Sequence, residues 1–282
     1  MKNQKRVLII DALNMYFRAY IVDPSLSANG QPIGGTKGFL KILQKLLRQT
    51  RPDYVLVAWD GGSSRRKSVN KNYKEGRKPI RLNRAIRNLS ENEEMANKIW
   101  QQTRLVEYLN MMPICQSMID NLEADDIIAY AANLPELKDW EKVIVSSDQT
   151  ILFRPVQDEI LNEKRVVDSF GIHPNNFALA RAICGDKSDN LEGVGSVGLK
   201  TVAKRFPFLC ESKSYTIDNI VEACNNEEKQ LKVHQNIVEN IDIVERNYKL
   251  MQLYAPSMSP QAKQKIAFLI WTLRLTKLQF MR

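Results

Sequence analysis

Residues 7–11 read VLIID, four apolar residues closed by an aspartate, and residues 54–60 (YVLVAWD) and 143–148 (VIVSSD) repeat the form. Each run is short and rich in β-branched residues, with helix-like stretches between them, which predicts strands of βαβ units in a parallel sheet. In such a sheet the carboxyl ends of the strands share one edge, where ligands bind. Asp11, Asp60 and Asp148 are therefore expected to lie near one another although they are far apart in the chain. One aspartate in such a place often only begins a turn. Three at matching places form a constellation.

The stretches between the strands carry helical patterns. Phe39, Ile42, Leu43, Leu46 and Leu47 fall at helical spacing within residues 38–49. Ser90-Glu91-Asn92-Glu93 reads as a capping box, and Met95, Ile99, Val106 and Leu109 recur after it on one predicted apolar face. Residues 124–132 read as a third helix opened by acids. Beyond about residue 169 helical patterns dominate. The expected fold is α/β: a mostly parallel central sheet flanked by helices over residues 1–168, then a helical carboxyl-terminal part over 169–282.

Of the 282 residues 44% are hydrophobic, an ordinary globular share that excludes disordered and fibrous classes. No apolar run approaches the roughly 18 residues that span a bilayer, and the four-residue run near the amino terminus is too short for a signal peptide. A soluble, cytoplasmic protein is expected. Cys115, Cys184, Cys210 and Cys224 are widely spaced and the chain has only two histidines, so the cysteines read as free thiols, mostly buried. The net charge of +9 favours a polyanionic partner. Its placement says more: residues 65–87 hold ten Lys or Arg against one acid, Glu75. Phosphate contact and a solvated surface loop are both open readings of that stretch.

Further acids accompany the strand ends. Glu123-Ala124-Asp125-Asp126 opens the third helix, where acids also complement the helix dipole. Asp186 and Asp189, within Gly185-Asp186-Lys187-Ser188-Asp189-Asn190, add two more, or form a polar turn with an N-cap. Carboxylates gathered without neutralisation repel one another. Mg²⁺ or Mn²⁺ relieves that, since both prefer oxygen ligands and keep waters, and two such ions can clamp a phosphodiester. Other chemistries find little support: neither His173 nor His234 lies in a nucleophilic motif, and there is no GxSxG or P-loop. After the GDKSDN stretch, residues 191–201 (LEGVGSVGLKT) place Gly193, Gly195 and Gly198 around a helix start. Glycines there let backbone amides approach a phosphate, with Lys200 and Thr201 beside them, and such contacts carry little sequence information.

In order and spacing, IIDALNMYFRAY, VAWDG, NYKEGRK, EADD, VSSD and GDKSDNLEGVGSVGLKTVAKRF resemble the 5′ nuclease (flap endonuclease) superfamily, with the stand-alone bacteriophage 5′→3′ exonuclease and ribonuclease H enzymes nearest in layout. The resemblance covers residues 7–206. It implies a PIN-like nuclease core, with a helix-hairpin-helix-like motif in the carboxyl-terminal part. It further implies hydrolysis of 5′ flaps, duplex 5′ ends and RNA primers on DNA, in replication or repair, leaving 5′-phosphate and 3′-hydroxyl ends. Asp11, Asp60, Glu123, Asp125 and Asp126 match the first metal site and its water shell, and Asp148, Asp186 and Asp189 the second. Lys74 and Arg77 match the cationic pair at the scissile phosphate, and Tyr73 an aromatic that stacks on a base, or else an ordinary packed ring. Arg65, Arg66 and Lys78 join the DNA-contacting stretch, and residues 67–109 correspond to the helical arch. Residues 191–201 resemble the duplex-gripping hairpin, which in the family often holds K⁺ through carbonyls, here near Leu191 and Val194. Gly34-Gly35-Thr36-Lys37-Gly38 resembles an element that holds bent duplex, or a turn with an N-cap.

One position departs from the pattern. The family places a second aspartate two residues after Asp148; this chain has Thr150, which offers no anionic ligand, so a weak second metal site is expected. Two rivals accompany the nuclease reading: a structure-specific DNA-binding protein with a degenerate metal site, and a PIN-type ribonuclease, which would not need the glycine hairpin. A monomer is expected, with single-strand-binding or other replication proteins as partners of the otherwise motif-free region after residue 209.

Overall fold

The computed structural model describes residues 4–82, 87–146, 153–154, 159–160, 163–195, 197–227, 231–253 and 257–280. Asp148 and Thr150 lie outside them. The first half runs β1 (Arg6–Asp11), α1 (Ala12–Val22), α2 (Gly34–Thr50), β2 (Tyr54–Trp59), α3 (Arg66–Val69), α4 (Glu91–Asn110), β3 (Cys115–Met118), α5 (Ala124–Ala132) and β4 (Glu141–Val145). These four strands form one parallel sheet in the order β3-β2-β1-β4, with Ile9 level with Leu56 on one side and Ile144 on the other. Two short antiparallel pairs complete the strands: β5 (Phe153–Arg154) with β6 (Glu159–Ile160), and β7 (Gly185–Asp186) with β8 (Leu191–Glu192).

Side chains alternate between the two faces of a strand, and here both faces are covered, which is why residues 7–10 of β1 and all of β2 are apolar. Ile9, Leu56 and Ala58 pack with Ile127 and Ile128 of α5 and with Ile266 and Ile270 of the last helix, α12 (Pro260–Phe280). Leu8, Ile10, Val55 and Val57 pack on the opposite face with Tyr16, Phe39 and Leu105 from α1, α2 and α4. Between β4 and α12 come α6 (Glu163–Phe170), α7 (Pro174–Cys184), α8 (Leu199–Arg205), α9 (Ile217–Asn226), α10 (Lys232–Glu239) and α11 (Ile241–Met251), around their own core of Ile183, Phe206, Ile220 and Val244. Asn247 of α11 donates to the carbonyls of Ala182 at 3.0 Å and Glu192 at 2.7 Å, fixing α7 and the hairpin to one support.

Several details differ from the sequence reading. β3, Cys-Gln-Ser-Met, is an edge strand with no apolar run to announce it. α2 starts at Gly34 rather than Gly38, and Gly34, Gly35 and Gly38 are buried. A Cβ on Gly35 would lie 2.4 Å from the Tyr16 ring, and one on Gly38 2.5 Å from Ala19 Cβ. These glycines let α2 close on α1 and are not available to a duplex. Of the segment matched to the arch, α4 is a long helix, whereas residues 71–76 are turns and 77–82 irregular. All four cysteines are free thiols, but only Cys224 is buried.

The largest departure is the face that α4 buries. Its capping box forms as read, with Ser90 N donating to Glu93 at 2.9 Å. Its buried residues, however, begin with Glu94, Asn97 and Gln101 and become apolar only at Leu105 and Leu109, while Met95 and Ile99 are exposed. Each buried polar group is satisfied from afar. Glu94 accepts from Leu82 N at 2.5 Å and Tyr20 OH at 3.4 Å, Asn97 donates to Pro32 O at 3.0 Å, and Gln101 accepts from Thr36 N at 3.1 Å.

The hairpin glycines divide in the same way between packing and open space. A Cβ on Gly193 would meet the Cys184 carbonyl carbon at 2.1 Å, whereas Gly195 and Gly198 have nothing within 4 Å. Gly193→Ala is therefore expected to cost about 3 kcal/mol, the upper end for overpacking, and Gly195→Ala less than about 0.5 kcal/mol. Urea denaturation of both variants checks this; equal stabilities would contradict the packing role of Gly193.

Candidate active site

The carboxyl ends of β1 and β2, the start of α5 and the loop after α7 open onto one cleft of about 890 Å³. Its walls carry six carboxylates: Asp11, Asp60, Glu123, Asp125, Asp186 and Asp189. They also carry five basic side chains, Arg18, Lys74, Arg77, Arg181 and Lys187.

Each acid is held by the element that supplies it. Asp11 ends β1 and caps α1, accepting from Asn14 N at 3.1 Å, while its second oxygen accepts from Ser146 Oγ at 3.3 Å. Asp60 follows β2 and accepts from Ala124 N at 2.7 Å. That bond satisfies one of the free amides at the start of α5 and ties the helix to the sheet edge. Asp125, in the first turn of α5, faces the cleft.

Glu123, the residue before α5, is buried and has several partners. Lys74 Nζ lies 2.8 Å from one oxygen; Arg66 Nη1 and the Tyr73 hydroxyl both reach the other at 3.1 Å. Burial by itself pushes a carboxyl toward its neutral form, but Lys74 and Arg66 outweigh it and hold Glu123 below its ordinary range. Arg66 also grips Asp126 with two bonds, 2.6 and 2.7 Å, and donates to Leu250 O at 2.8 Å.

The second group sits on the turn after α7. Gly185, at φ 74°, reverses the chain so that Asp186 folds back onto the last turn of α7 and pairs with Arg181. Asp186 accepts from Ser188 N at 2.8 Å and Ser188 Oγ at 2.7 Å. Burial raises the Asp186 carboxyl, but those bonds and Arg181 bring it below its ordinary value. Asp189 goes the other way: burial, reinforced by Asp186, raises it despite Lys74 and Arg77. The two acids are therefore pushed apart, and a further cation beside Asp189 would favour its ionised form.

The basic segment is pinned across both groups. Lys74 N donates to Asp189 O at 2.8 Å, Arg77 Nε to Ser188 O at 2.7 Å, and Asn190 Nδ2 to Asn72 O at 2.9 Å. Arg77 also pairs with the Asp189 carboxylate. Lys74 takes a left-handed backbone, φ 58°, which is unusual for a side chain of its size and is imposed by these contacts.

Three assignments change in this geometry. Tyr73 is 3% exposed, its hydroxyl shared between Glu123 and Asp189 at 3.1 Å each, so it is a packed ring and not a stacking platform. Arg66 is enclosed by Glu123 and Asp126 and is a structural ion-pair partner, whereas Arg65, next to it, is exposed. Asp126 is committed to Arg66 and does not line the cleft. Lys78 and Lys200 are exposed, Thr201 is half-buried, and Gly193, Gly195 and Gly198 border a neighbouring hollow of about 650 Å³ along the hairpin. Arg18, Arg181 and Ser188 were not singled out by sequence; only the turn at Gly185 brings Arg181 to Asp186, and no local spacing signals it.

The carboxylates were expected to need metal for neutralisation, yet the chain's own cations supply much of it. Among the described residues no group of three or more carboxylate, thiol or imidazole side chains converges enough to enclose an ion unaided. The donors facing the cleft are nonetheless nearly all carboxylate oxygens, which suits a hard ion that keeps part of its water shell.

Comparison with known proteins agrees with this architecture. The family model described as 5′-3′ exonuclease, N-terminal resolvase-like domain, matches residues 6–169. A 5′-3′ exonuclease of Aquifex aeolicus (strain VF5) is 28% identical over 265 residues, covering 89% of this chain and 82% of that protein. A flap endonuclease Xni of Shewanella sp. (strain MR-4) is 29% identical over 258 residues, 88% and 90% of the two chains. In structure, the T5 5′-exonuclease with bound divalent zinc superposes with a TM-score of 0.74 at 18% identity, covering 95% of this chain and 99% of that one.

Breaking a buried pair by removing one partner typically costs about 3–5 kcal/mol. Arg66→Ala should lose that much in urea denaturation at neutral pH, and Arg65→Ala less than about 0.5 kcal/mol. Glu123 is held below 4.5 in the folded chain, so its share of that stability is full above 4.5 and disappears as pH falls through the lower folded value. The gap between wild type and Arg66→Ala should narrow there; a gap independent of pH would contradict the ion-pair account.

Proposed function

The chain belongs to the 5′-3′ exonuclease family, and on that premise we propose that it hydrolyses phosphodiesters of 5′ flaps, duplex 5′ ends and RNA primers on DNA. The observation that carries the proposal is the convergence of Asp11, Asp60, Glu123, Asp125, Asp186 and Asp189 on one cleft that also holds Lys74 and Arg77. An all-apolar binding site or a purely cationic groove would not require six acids facing one another. The names of the relatives, 5′-3′ exonuclease and flap endonuclease, support the direction and structure-specificity of cutting.

The cofactor proposed is Mg²⁺ or Mn²⁺. Asp11, Asp60, Asp125 and Glu123 would hold one ion, and Asp186 and Asp189, together with Asp148, a second. Bound there, such ions would lower the pKa of a water and offset charge on the phosphodiester. The bound divalent zinc in the related T5 structure supports a divalent ion in this fold. The chain's own residues do the rest. Lys74 and Arg77 enter from a segment anchored to the 187–190 loop, so their positive charges are fixed in place before substrate arrives. Preorganised charge of that kind acts on negative charge developing at the phosphate. Exposed Arg65, Lys78 and Lys200 follow the nucleic-acid backbone as sequence-independent contacts. Gly195 and Gly198, exposed and with open space where a side chain would stand, let a phosphate approach the hairpin backbone, and K⁺ at the nearby carbonyls belongs to the same proposal. So does the division into a nuclease core over 1–168 and a helical part over 169–282, although the last helix of that part, α12, packs back on the sheet.

Cleavage of a labelled 5′-flap duplex tests the reading. Asp60→Asn is expected to reduce single-turnover cleavage by orders of magnitude with binding retained; activity within about tenfold of wild type would reject the assignment. Lys74→Ala should slow the chemical step by about a hundredfold or more, in the range found for a lost oxyanion donor, whereas Lys200→Ala should weaken binding and reduce its salt slope by about one contact. Loss of affinity alone in Lys74→Ala would overturn its role at the phosphate. Because Thr150 supplies no charge, Thr150→Asp is expected to lower the Mg²⁺ concentration giving half-maximal cleavage; superimposable titrations would contradict a weak second site.

A further inference from the structure

Beside the cleft lies a second hollow of about 500 Å³, formed where α4 crosses the β2–β3 edge of the sheet. Ile99, Thr103 and Val106 line it from α4, Trp59 and Met118 from the strand ends, and Leu13 from α1. It borders the catalytic cleft: Leu13 and Asp60 belong to the walls of both. We propose that this groove is a nucleobase site for the strand being cut, taking the base of a nucleotide whose phosphate lies in the adjoining cleft with Lys74 and Arg77. The inference rests on the nuclease reading above and adds a place for one base.

Three observations point to a base. First, the groove is apolar where the fold does not require it. α4 turns Glu94, Asn97 and Gln101 inward and leaves Ile99 58% exposed, and Met118 at the end of β3 is 68% exposed. Local rules of this kind are broken most often at functional sites, and adjoining exposed apolar side chains mark a contact surface.

Second, charge is segregated. The cleft sets five basic side chains among its six carboxylates, whereas among the described residues the charged ones lining the groove, Asp60 and Glu107, are both acidic. A phosphate is repelled from such a surface, so a nucleic-acid strand can place only its uncharged part there. A base lies one sugar away from its phosphate, and the wall shared at Leu13 and Asp60 puts the groove beside the cleft that holds Lys74 and Arg77.

Third, the surface is held in place and tolerant of sequence. Trp59 Nε1 donates to Gln116 Oε1 at 2.9 Å, and Gln116 Nε2 donates to Val106 O at 3.0 Å and Asn110 Oδ1 at 2.7 Å, so the strand end and α4 are bridged. Stacking on apolar side chains accepts any base, because every base has a π-face. Gln102 and Thr103 add side chains that offer either a donor or an acceptor to a base edge.

The test is a cycle between protein and DNA. Flap duplexes carry a single abasic tetrahydrofuran residue at successive positions flanking the cut, and single-turnover cleavage is measured for wild type and for Ile99→Ser. Ile99 is exposed, so the substitution leaves the core intact. One abasic position next to the cut should slow wild type about tenfold, the weight of one stacked base. Ile99→Ser should be similarly slow on intact DNA, yet match wild type on the DNA abasic at that position, because both changes remove the same contact. If the two effects multiply, or no abasic position slows wild type, the groove does not hold a base and the proposal falls. Failure of wild type to cleave any of these duplexes would instead overturn the nuclease reading.

Discussion

A carboxylate taken out of water needs a partner, and the active edge of this protein is arranged around that requirement at Glu123. Its two oxygens are divided among Lys74, Arg66 and Tyr73, and each of those partners links Glu123 to another part of the chain. Arg66 carries the connection to Asp126 and to Leu250 at the end of α11. Tyr73 carries it to Asp189. Lys74 bonds the Asp189 carbonyl through its own amide and so brings the basic segment over the cleft. The sheet edge, the basic segment and the loop after α7 are thereby joined through one buried acid. Removing Lys74 or Arg66 leaves charge less compensated in a poorly solvated place, where it is costly.

The same arrangement separates structural from reactive charge. Arg66 and Asp126 satisfy each other with two parallel bonds, the geometry in which a guanidinium binds a carboxylate most strongly. Asp60 and Asp125, by contrast, face the cleft, and Asp186 and Asp189 are driven in opposite directions by their surroundings. Cations from the chain counter part of the repulsion, so the cleft can stay folded and open to a polyanion whether or not ions are bound.

Much of this was legible in the sequence, for identifiable reasons. Apolar runs closed by aspartates report parallel strands and a shared edge, and α5 spans the residues 124–132 that read as a helix opened by acids. What escaped reading depends on long-range partners. The inward face of α4 looks polar because Tyr20, Pro32, Thr36 and Leu82 satisfy it from other segments, so a period count assigns the wrong side. Arg65 and Arg66 are identical in type and adjacent, yet only the second reaches the acids of α5. β3 is a polar edge strand without the apolar signature of its neighbours. Gly34, Gly35 and Gly38 resemble an element that holds bent duplex, while the space they leave is filled by α1.

The central claim is that the carboxylates of the cleft form a divalent-cation site in competition with the chain's own lysine. Thermal unfolding with and without millimolar Ca²⁺, at constant ionic strength set by KCl, measures this without any turnover, because a ligand that binds only the folded state raises its midpoint. The account predicts that Ca²⁺ raises the midpoint of wild type, raises that of Lys74→Ala further, and leaves that of Asp60→Asn much less affected. Equal midpoints with and without Ca²⁺ in wild type and Lys74→Ala would contradict it.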